Sequence, residues 1–443
     1  MSRLRIAIIG GGVSGTALAV HLLLRGAQTP DVTLIERGRR IGPGLAYGGS
    51  DQAHLLNVRA NNLSISDHKP DDFSRWLSKR KGGDQSKTFA PRALYGRYVA
   101  EALQRAEGAH WFRRPLKRVR GDAVALRREG EGVEITLASG KTIPADKAVL
   151  ALGNPAAIVP EPISSVEVID AWDAAAIARV PSNSDVLLVG TGLTMVDVVL
   201  SLSKRPRSGT IYALSHRGLT PHAHADIPPA VQGTLAQSAP LSAALSELRN
   251  VARGVHERGE PWQHVVDGLR KATPTLWRGL TSEQQLRFLR HARSYWDIHR
   301  HRAAPEAAAR IADLRKTGKL RILRGEVVSA GAAGRYIQIV HRQRGSMVRH
   351  RFDVANVINC TGASQNLARS RDPLVMQLLS DGLVRAHATG LGLDVNDDGG
   401  VLDARGAADT RLFALGPITQ GAFWESTAVP EIRARAAALA AIL

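Results

Sequence analysis

Residues 4–15 read Leu4-Arg5-Ile6-Ala7-Ile8-Ile9-Gly10-Gly11-Gly12-Val13-Ser14-Gly15. The apolar run predicts a buried strand and the glycines a tight turn, and the spacing from Thr16 to Leu24 predicts a helix that Gly26 can stop. A second strand, Val32 to Ile35, ends in Glu36-Arg37. Such a turn sets backbone N–H groups and the positive end of a helix against a pyrophosphate, and it uses glycine because a Cβ would hold the phosphate away. Gly10, Gly12 and Gly15 fit, with Val13 and Ser14 between them and the helix. Glu36, 26 positions after Gly10, is placed to bind the ribose hydroxyls of an adenosine, with Arg37 beside it.

The pattern recurs. Val186 to Val189 lead into Gly190-Thr191-Gly192-Leu193-Thr194-Met195 and a helical run through Leu202, and the next strand, Thr210 to Leu214, ends in Ser215-His216-Arg217. Met195 replaces the third glycine, which implies looser packing of helix on strand. Counting 27 positions from Gly190 puts Arg217, next to His216, where the first unit has its acid. Arginine there suits the 2′-phosphate of NADPH better than a free 2′-hydroxyl. Each unit then alternates like a hairpin and runs into a buried strand ending in glycine, Ala148 to Gly153 and Val354 to Gly362.

The expected fold is therefore α/β, with two Rossmann-like three-layer nucleotide-binding domains, an arrangement that resembles the glutathione-reductase-like kind. Residues 1–165 form the first part of an FAD-binding domain. Residues 166–362 form an NADP-binding domain, with a helical insertion at about 241–316 that lacks glycine turns and reads as a cap. Residues 363–443 return to the FAD domain through a strand at Thr410 to Leu415, then Gly416-Pro417. From about Thr427 a helix follows, whose positive end would face the flavin.

Composition narrows the chemistry. There are 59 Lys and Arg against 40 Asp and Glu, a net charge of +19, with the positive residues spread along the chain. That field attracts anions of any kind, but no aromatic-interleaved basic module points to a specific nucleic-acid partner. The single Cys360 excludes a disulfide framework or a CxxC redox pair within one chain. No run approaches the ~18 uncharged apolar residues of a membrane span, so no membrane partner and a cytoplasmic location are expected. A small-molecule substrate is the expected partner, and a homodimer is compatible with the sequence.

Two histidine clusters, His222-x-His224-x-Asp226 and His299-Arg300-His301-Arg302, have no third spacing that completes a metal site, so no metal is expected. The second follows Tyr295-Trp296 and reads as a helix end facing an anion, with Arg300 and Arg302 near a carboxylate substrate.

Gly42-Pro43-Gly44-Leu45-Ala46-Tyr47-Gly48, His54-Leu55-Leu56-Asn57-Val58, Asp71-Asp72-Phe73 to Trp76-Leu77, the Gly190 to Asp197 turn, and Trp424-Glu425 to Pro430-Glu431-Ile432 resemble the FAD-NAD(P)-binding domain family of uncharacterised flavoproteins. The resemblance implies that Tyr47, Asn57, Gly153, Gly362, Gly416 and Pro417 lie along the cofactors, with Asn57 and Trp424 near flavin or substrate. More distantly, Asp146, Leu150 to Asn154 and Pro160 are similar to the D-xxx-LATGY-…-P segment of flavin-dependent N-hydroxylating monooxygenases, without its Thr and Tyr. Pro417 stands where the wider superfamily has an acid on the ribityl chain. These resemblances imply an FAD-dependent, NADPH-using oxidoreductase, a monooxygenase hydroxylating a small, anionic, nitrogen-containing substrate through a peroxyflavin. The alternatives are a flavin dehydrogenase serving a quinone or protein acceptor, and a non-catalytic redox-sensing module.

Overall fold

A computed structural model describes residues 3–49, 51–110, 113–155, 157–225, 241–364 and 366–443. Asp226, of the first histidine cluster, lies outside them. Two compact units are formed: Met1–Ser50 with Val58–Pro155 and Ser364–Leu443, and Asp51–Asn57 with Ala156–Ala363.

In chain order, the first unit begins with β1 (Arg5–Ile9), α1 (Val13–Leu23), β2 (Asp31–Glu36), α2 (Gly44–Tyr47), α3 (Asp72–Lys81), α4 (Arg92–Gly108) and β3 (Leu116–Arg120). A meander follows, β4 (Ala123–Glu129), β5 (Gly132–Leu137) and β6 (Thr142–Ala145), then β7 (Lys147–Leu150). The second unit has β8 (Val168–Asp170), α5 (Ala174–Arg179), β9 (Val186–Val189), α6 (Leu193–Leu202) and β10 (Ile211–Ser215). Six helices come next: α7 (Leu241–Glu257), α8 (Gln263–Gly268), α9 (Thr273–Gly279), α10 (Ser282–His291), α11 (Arg293–Arg300) and α12 (Pro305–Lys316). The unit closes with β11 (Leu320–Ala333), β12 (Tyr336–Gln343), β13 (Arg349–Val354) and β14 (Asn356–Asn359). The return segment adds α13 (Pro373–Ser380), β15 (Gly400–Leu402), β16 (Ala408–Ala414) and α14 (Val429–Ile442) to the first unit.

The sheet orders show the duplication. In the first unit the order is β15-β16-β7-β1-β2-β3, and in the second β13-β12-β11-β10-β9-β14-β8. The parallel core 3-2-1-7-16 of one thus matches 11-10-9-14-8 of the other. Ile6 to Ile9, Ala148 to Leu150 and Val186 to Val189 are all buried, as strands covered on both faces require. Helix α1 is buried along its whole length. A helix so enclosed is apolar on nearly every side, with Ser14, Thr16 and His21 its buried polar members.

One member of α1 gives the first unit a pH dependence. Burial, with a smaller contribution from His68, lowers the pKa of His21 from 6.5 to about 4. Above pH 6.5 the residue is neutral in folded and unfolded chains alike. Between 6.5 and about 4 the unfolded chain takes up a proton that the folded one refuses, so stability is lost as pH falls through this window. Denaturant titrations at both ends of it should show His21→Gln removing a loss of at most about 3 kcal/mol. An unchanged pH slope in the variant would place the sensitivity elsewhere.

Candidate functional site

In the first unit the carboxyl ends of β1, β7 and β16 converge on glycine. The Gly10 N–H bonds the Ile35 carbonyl at 2.9 Å, the Ala151 N–H bonds Ile9 at 2.8 Å, and the Leu415 N–H bonds Leu150 at 3.0 Å. Gly10, Gly153 and Gly416 therefore follow three adjacent strand ends, the place where ligands bind in open α/β sheets. The glycines differ in why they are glycine. A Cβ on Gly10 would lie 2.3 Å from the Ala151 carbonyl oxygen, and one on Gly15 would lie 1.9 Å from that of Gly10. Those two are demanded by the protein's own packing. At Gly12 the nearest atom to an added Cβ is the Gly44 Cα, at 3.5 Å, and its φ of −73° suits any residue. No protein atom requires glycine there, so the open space suits an approaching pyrophosphate at the N-terminus of α1. On another side of α1, a Cβ on Gly416 would lie 2.2 Å from the Ser14 Oγ, so Ser14 and the Gly416-Pro417 turn touch.

Glu36 is fixed by two backbone donors, Gly11 N–H and Gly38 N–H, both at 2.6 Å. It opens on a cleft of about 280 Å³ walled by Ile41, Ala100, Leu103, Val119 and Arg120 among others. Arg39, Gln104 and Arg118 also line it, and an acid beside a cleft that is apolar on one part and basic on another suits a ribose joined to an adenine and its phosphates. Arg37 faces acids instead, Asp372 at 2.7 Å and Asp122 at 3.3 Å. The Tyr47 ring meets Tyr95 edge-on at 4.8 Å, and burial raises its phenol above the ordinary value. Trp424 is buried in the same unit. Asp146, from the N-hydroxylase-like segment, clamps Arg5 through side chain and backbone, at 2.6 and 2.7 Å.

The second unit repeats the turn. A Cβ on Gly190 would lie 2.4 Å from the Cys360 carbonyl oxygen, whereas one on Gly192 meets nothing within 4 Å. Leu193 and Thr194 begin α6, and Met195 is fully buried where a third glycine would pack. Gly362, just beyond β14, has open space around it and a φ of +83°. Burial pushes the Cys360 thiol up, away from thiolate chemistry.

The position of the acid differs from the sequence count. Gly190 N–H bonds Leu214 O at 2.8 Å as Gly10 N–H bonds Ile35 O, so the residue matching Glu36 is Ser215, and Arg217 lies two further on. The second loop is one residue shorter, and counting to the nearest charge overshot it. Ser215 Oγ bonds Thr191 Oγ1 at 2.7 Å and accepts the Gly218 N–H at 3.1 Å. Arg217 donates to the last carbonyls of α10, Arg290 at 3.3 Å and His291 at 3.4 Å, and its guanidinium lies 4.9 Å from the Tyr295 ring centre. His216 is exposed.

Residues 51–57 belong to the second unit, although the sequence assigned them to the first domain. Asp51 takes the Lys204 ammonium and the Ser201 hydroxyl, each at 2.6 Å, and His54 Nε2 reaches Ser201 Oγ at 2.8 Å. Burial alone would raise the Asp51 carboxyl, but these donors and the Ala53 N–H hold it below its ordinary pKa. The trio is not a hydrolytic triad, since Ser201 and Asp51 both approach the same histidine nitrogen, Asp51 at 3.5 Å. The Asn57 carbonyl bonds His224 Nε2 at 2.8 Å.

The two histidine clusters meet in this unit. His222 and His299 rings are 4.7 Å apart, each against Trp262 at 5.2 and 4.8 Å. Among the described residues no group of three metal-ligating side chains is assembled. Arg300 is buried. Arg302 is 1% exposed, and its Nη2 bonds both Asp267 oxygens, at 2.6 and 2.7 Å. Its charge is thus already neutralised inside the cap. No helix among the described residues is long and apolar enough to cross a membrane.

Two dinucleotide turns on duplicated parallel sheets define the two-dinucleotide-binding-domain class of flavoprotein folds. Residues 7–155 match the family model described as FAD-NAD(P)-binding. An uncharacterised protein of Mycobacterium tuberculosis is 24% identical over 99% of this chain and 95% of its own. L-lysine 6-monooxygenase from Pseudomonas syringae superposes with a TM-score of 0.65 at 15% identity, over 98% of both chains. Ornithine N-hydroxylase from Kutzneria sp. 744, solved with reduced FAD, NADP+ and ornithine, gives 0.64 at 15% identity over 100% of this chain and 98% of that one.

Proposed function

We propose that the protein is an FAD-dependent oxidoreductase reduced by NADPH, and that it hydroxylates nitrogen in a small amine. The observation that carries the cofactor reading is the paired turn: Gly12 and Gly192 are glycine without any need of the protein's own packing. One sits near an acid, Glu36, and the other near a neutral Ser215 and a cation, Arg217. The first combination favours a ribose with free hydroxyls, and the second one that carries a phosphate. Bound in these places, FAD would accept a hydride from NADPH and pass its electrons to oxygen.

The chain's own part is to hold and orient. The Gly10–Gly12 turn and the start of α1 would take the pyrophosphate of FAD, Glu36 would fix its ribose, and Ile41, Ala100, Leu103 and Val119 would give the adenine an apolar wall. Gly416 and Pro417 bring backbone rather than an acid to the ribityl side. In the second unit Gly192, Leu193 and Thr194 take the other pyrophosphate. The N-hydroxylating direction is supported by the full-length likeness of fold to the lysine and ornithine enzymes and by the Asp146 to Pro160 segment. Arg300 and the rings around Trp262 are the cap's candidates for substrate.

The test is anaerobic flavin reduction by NADPH, then admission of oxygen with lysine, ornithine or a diamine, and mass detection of a hydroxylamine. Fast reoxidation by a quinone, with no oxygen-dependent product from any amine, would replace this reading with the dehydrogenase one. A charge-assisted bond to a phosphate is worth roughly 1.5–3 kcal/mol. Arg217→Ala should therefore lower NADPH preference about tenfold or more while sparing NADH. Equal losses with both cofactors would remove Arg217 from the phosphate.

A further inference from the structure

We infer that Arg324, on the strand next to β10, is a second specificity-determining residue that grips the same 2′-phosphate as Arg217. The inference rests on reading the second unit as the NADPH fold, and goes beyond it by naming a residue outside the turn and strand that carry that signature.

The internal duplication locates it. In the first unit Glu36 stands in register with Arg120 of β3, and both line the cleft beside the adenosine position. In the second, Ser215 stands in register with Arg324 of β11. Neighbours in register on parallel strands present side chains to the same face, so Arg324 stands beside the residue that replaces the ribose-binding acid. The Gly218 backbone abuts it, since a Cβ on Gly218 would lie 3.0 Å from the Arg324 Cβ. The loop that carries Arg217 therefore packs directly on the stem of Arg324.

Charge tells the same story. In the first unit the in-register pair is acid and cation. In the second the acid is gone and the cation remains, joined by Arg217. Arg324 is exposed, and among the described residues no partner is found for its guanidinium. Glu326, two residues on, is taken by Arg342. Arg324 in register with Ser215 and Arg217 two residues after it, with no carboxylate in register beside them, are a set suited to a doubly charged phosphate. A solvated cation would need no such register with the ribose position and no such loss of the acid beside it.

Calorimetry on the flavin-loaded full chain tests this with 2′,5′-ADP and 5′-ADP, which differ in the 2′-phosphate. Arg324→Ala should weaken 2′,5′-ADP binding about tenfold or more and leave 5′-ADP within about twofold. Arg324→Lys should recover part of the loss, because it keeps the charge without the fork. If Arg324→Ala binds 2′,5′-ADP as tightly as the unaltered protein while Arg217→Ala does not, the inference is overturned and the NADPH reading stands. If the unaltered protein binds both nucleotides equally, the NADPH reading fails and this inference with it.

Discussion

Gly12→Val should give a folded protein without flavin. The added side chain starts in open space, the backbone is in a region any residue adopts, and Gly44 approaches only at van der Waals distance. A pyrophosphate on the turn would meet the new methyl groups instead of backbone N–H donors, and loss of those bonds together with the steric block should remove the cofactor almost completely. Gly15→Ala is the counterpart, because its Cβ would fall 1.9 Å from the Gly10 carbonyl oxygen and the cost should appear in folding. Visible absorbance of the purified protein and far-ultraviolet circular dichroism separate the two. A folded Gly12→Val protein with full flavin content would show that the pyrophosphate does not lie on this turn.

The second large effect belongs to the cap. Arg302 is enclosed and shares Asp267 through two hydrogen bonds, so truncating it leaves a partly buried carboxylate without its cation. Because Asp267 is about a third exposed, losing the pair costs roughly 1.5–3 kcal/mol, still a sizeable part of the roughly 5–15 kcal/mol that holds a domain folded. Arg302→Ala should therefore unfold the second unit at markedly lower denaturant, and replacing Arg302 and Asp267 together by leucine should cost less than either single change. A double variant as unstable as the sum of the singles would mean that the two residues act independently. An Arg302 variant tested only by substrate kinetics would mix lost fold with lost binding.

Most of the architecture was legible because its signals are local. The runs at Ile6 to Ile9 and Val186 to Val189, with the glycines after them, announce parallel strands and turns, and the repeat of that pattern announces the duplication. What could not be read was register across strands. Ser215 rather than Arg217 matches Glu36 because hydrogen bonds from Gly10 and Gly190 fix the alignment, and a count along the chain does not see them. Arg324 was invisible for the same reason, since its neighbour in space is 109 positions away in sequence. Arg302 was read as standing near a carboxylate substrate, and its ion pair was invisible because a charged residue gives no sign of its partner until Asp267 is brought to it.

The assignment of Asp51–Asn57 to the second unit bears on how such proteins can be altered by recombination. A fragment exchanged at the apparent border near residue 155 would carry Lys204, Ser201 and His224 without the acid and the carbonyl that satisfy them. An ammonium and a ring nitrogen would then lose their partners in the graft. The second unit is discontinuous in the gene as well as the first, so a chimera that respects the chemistry must take a short early segment along with the later block.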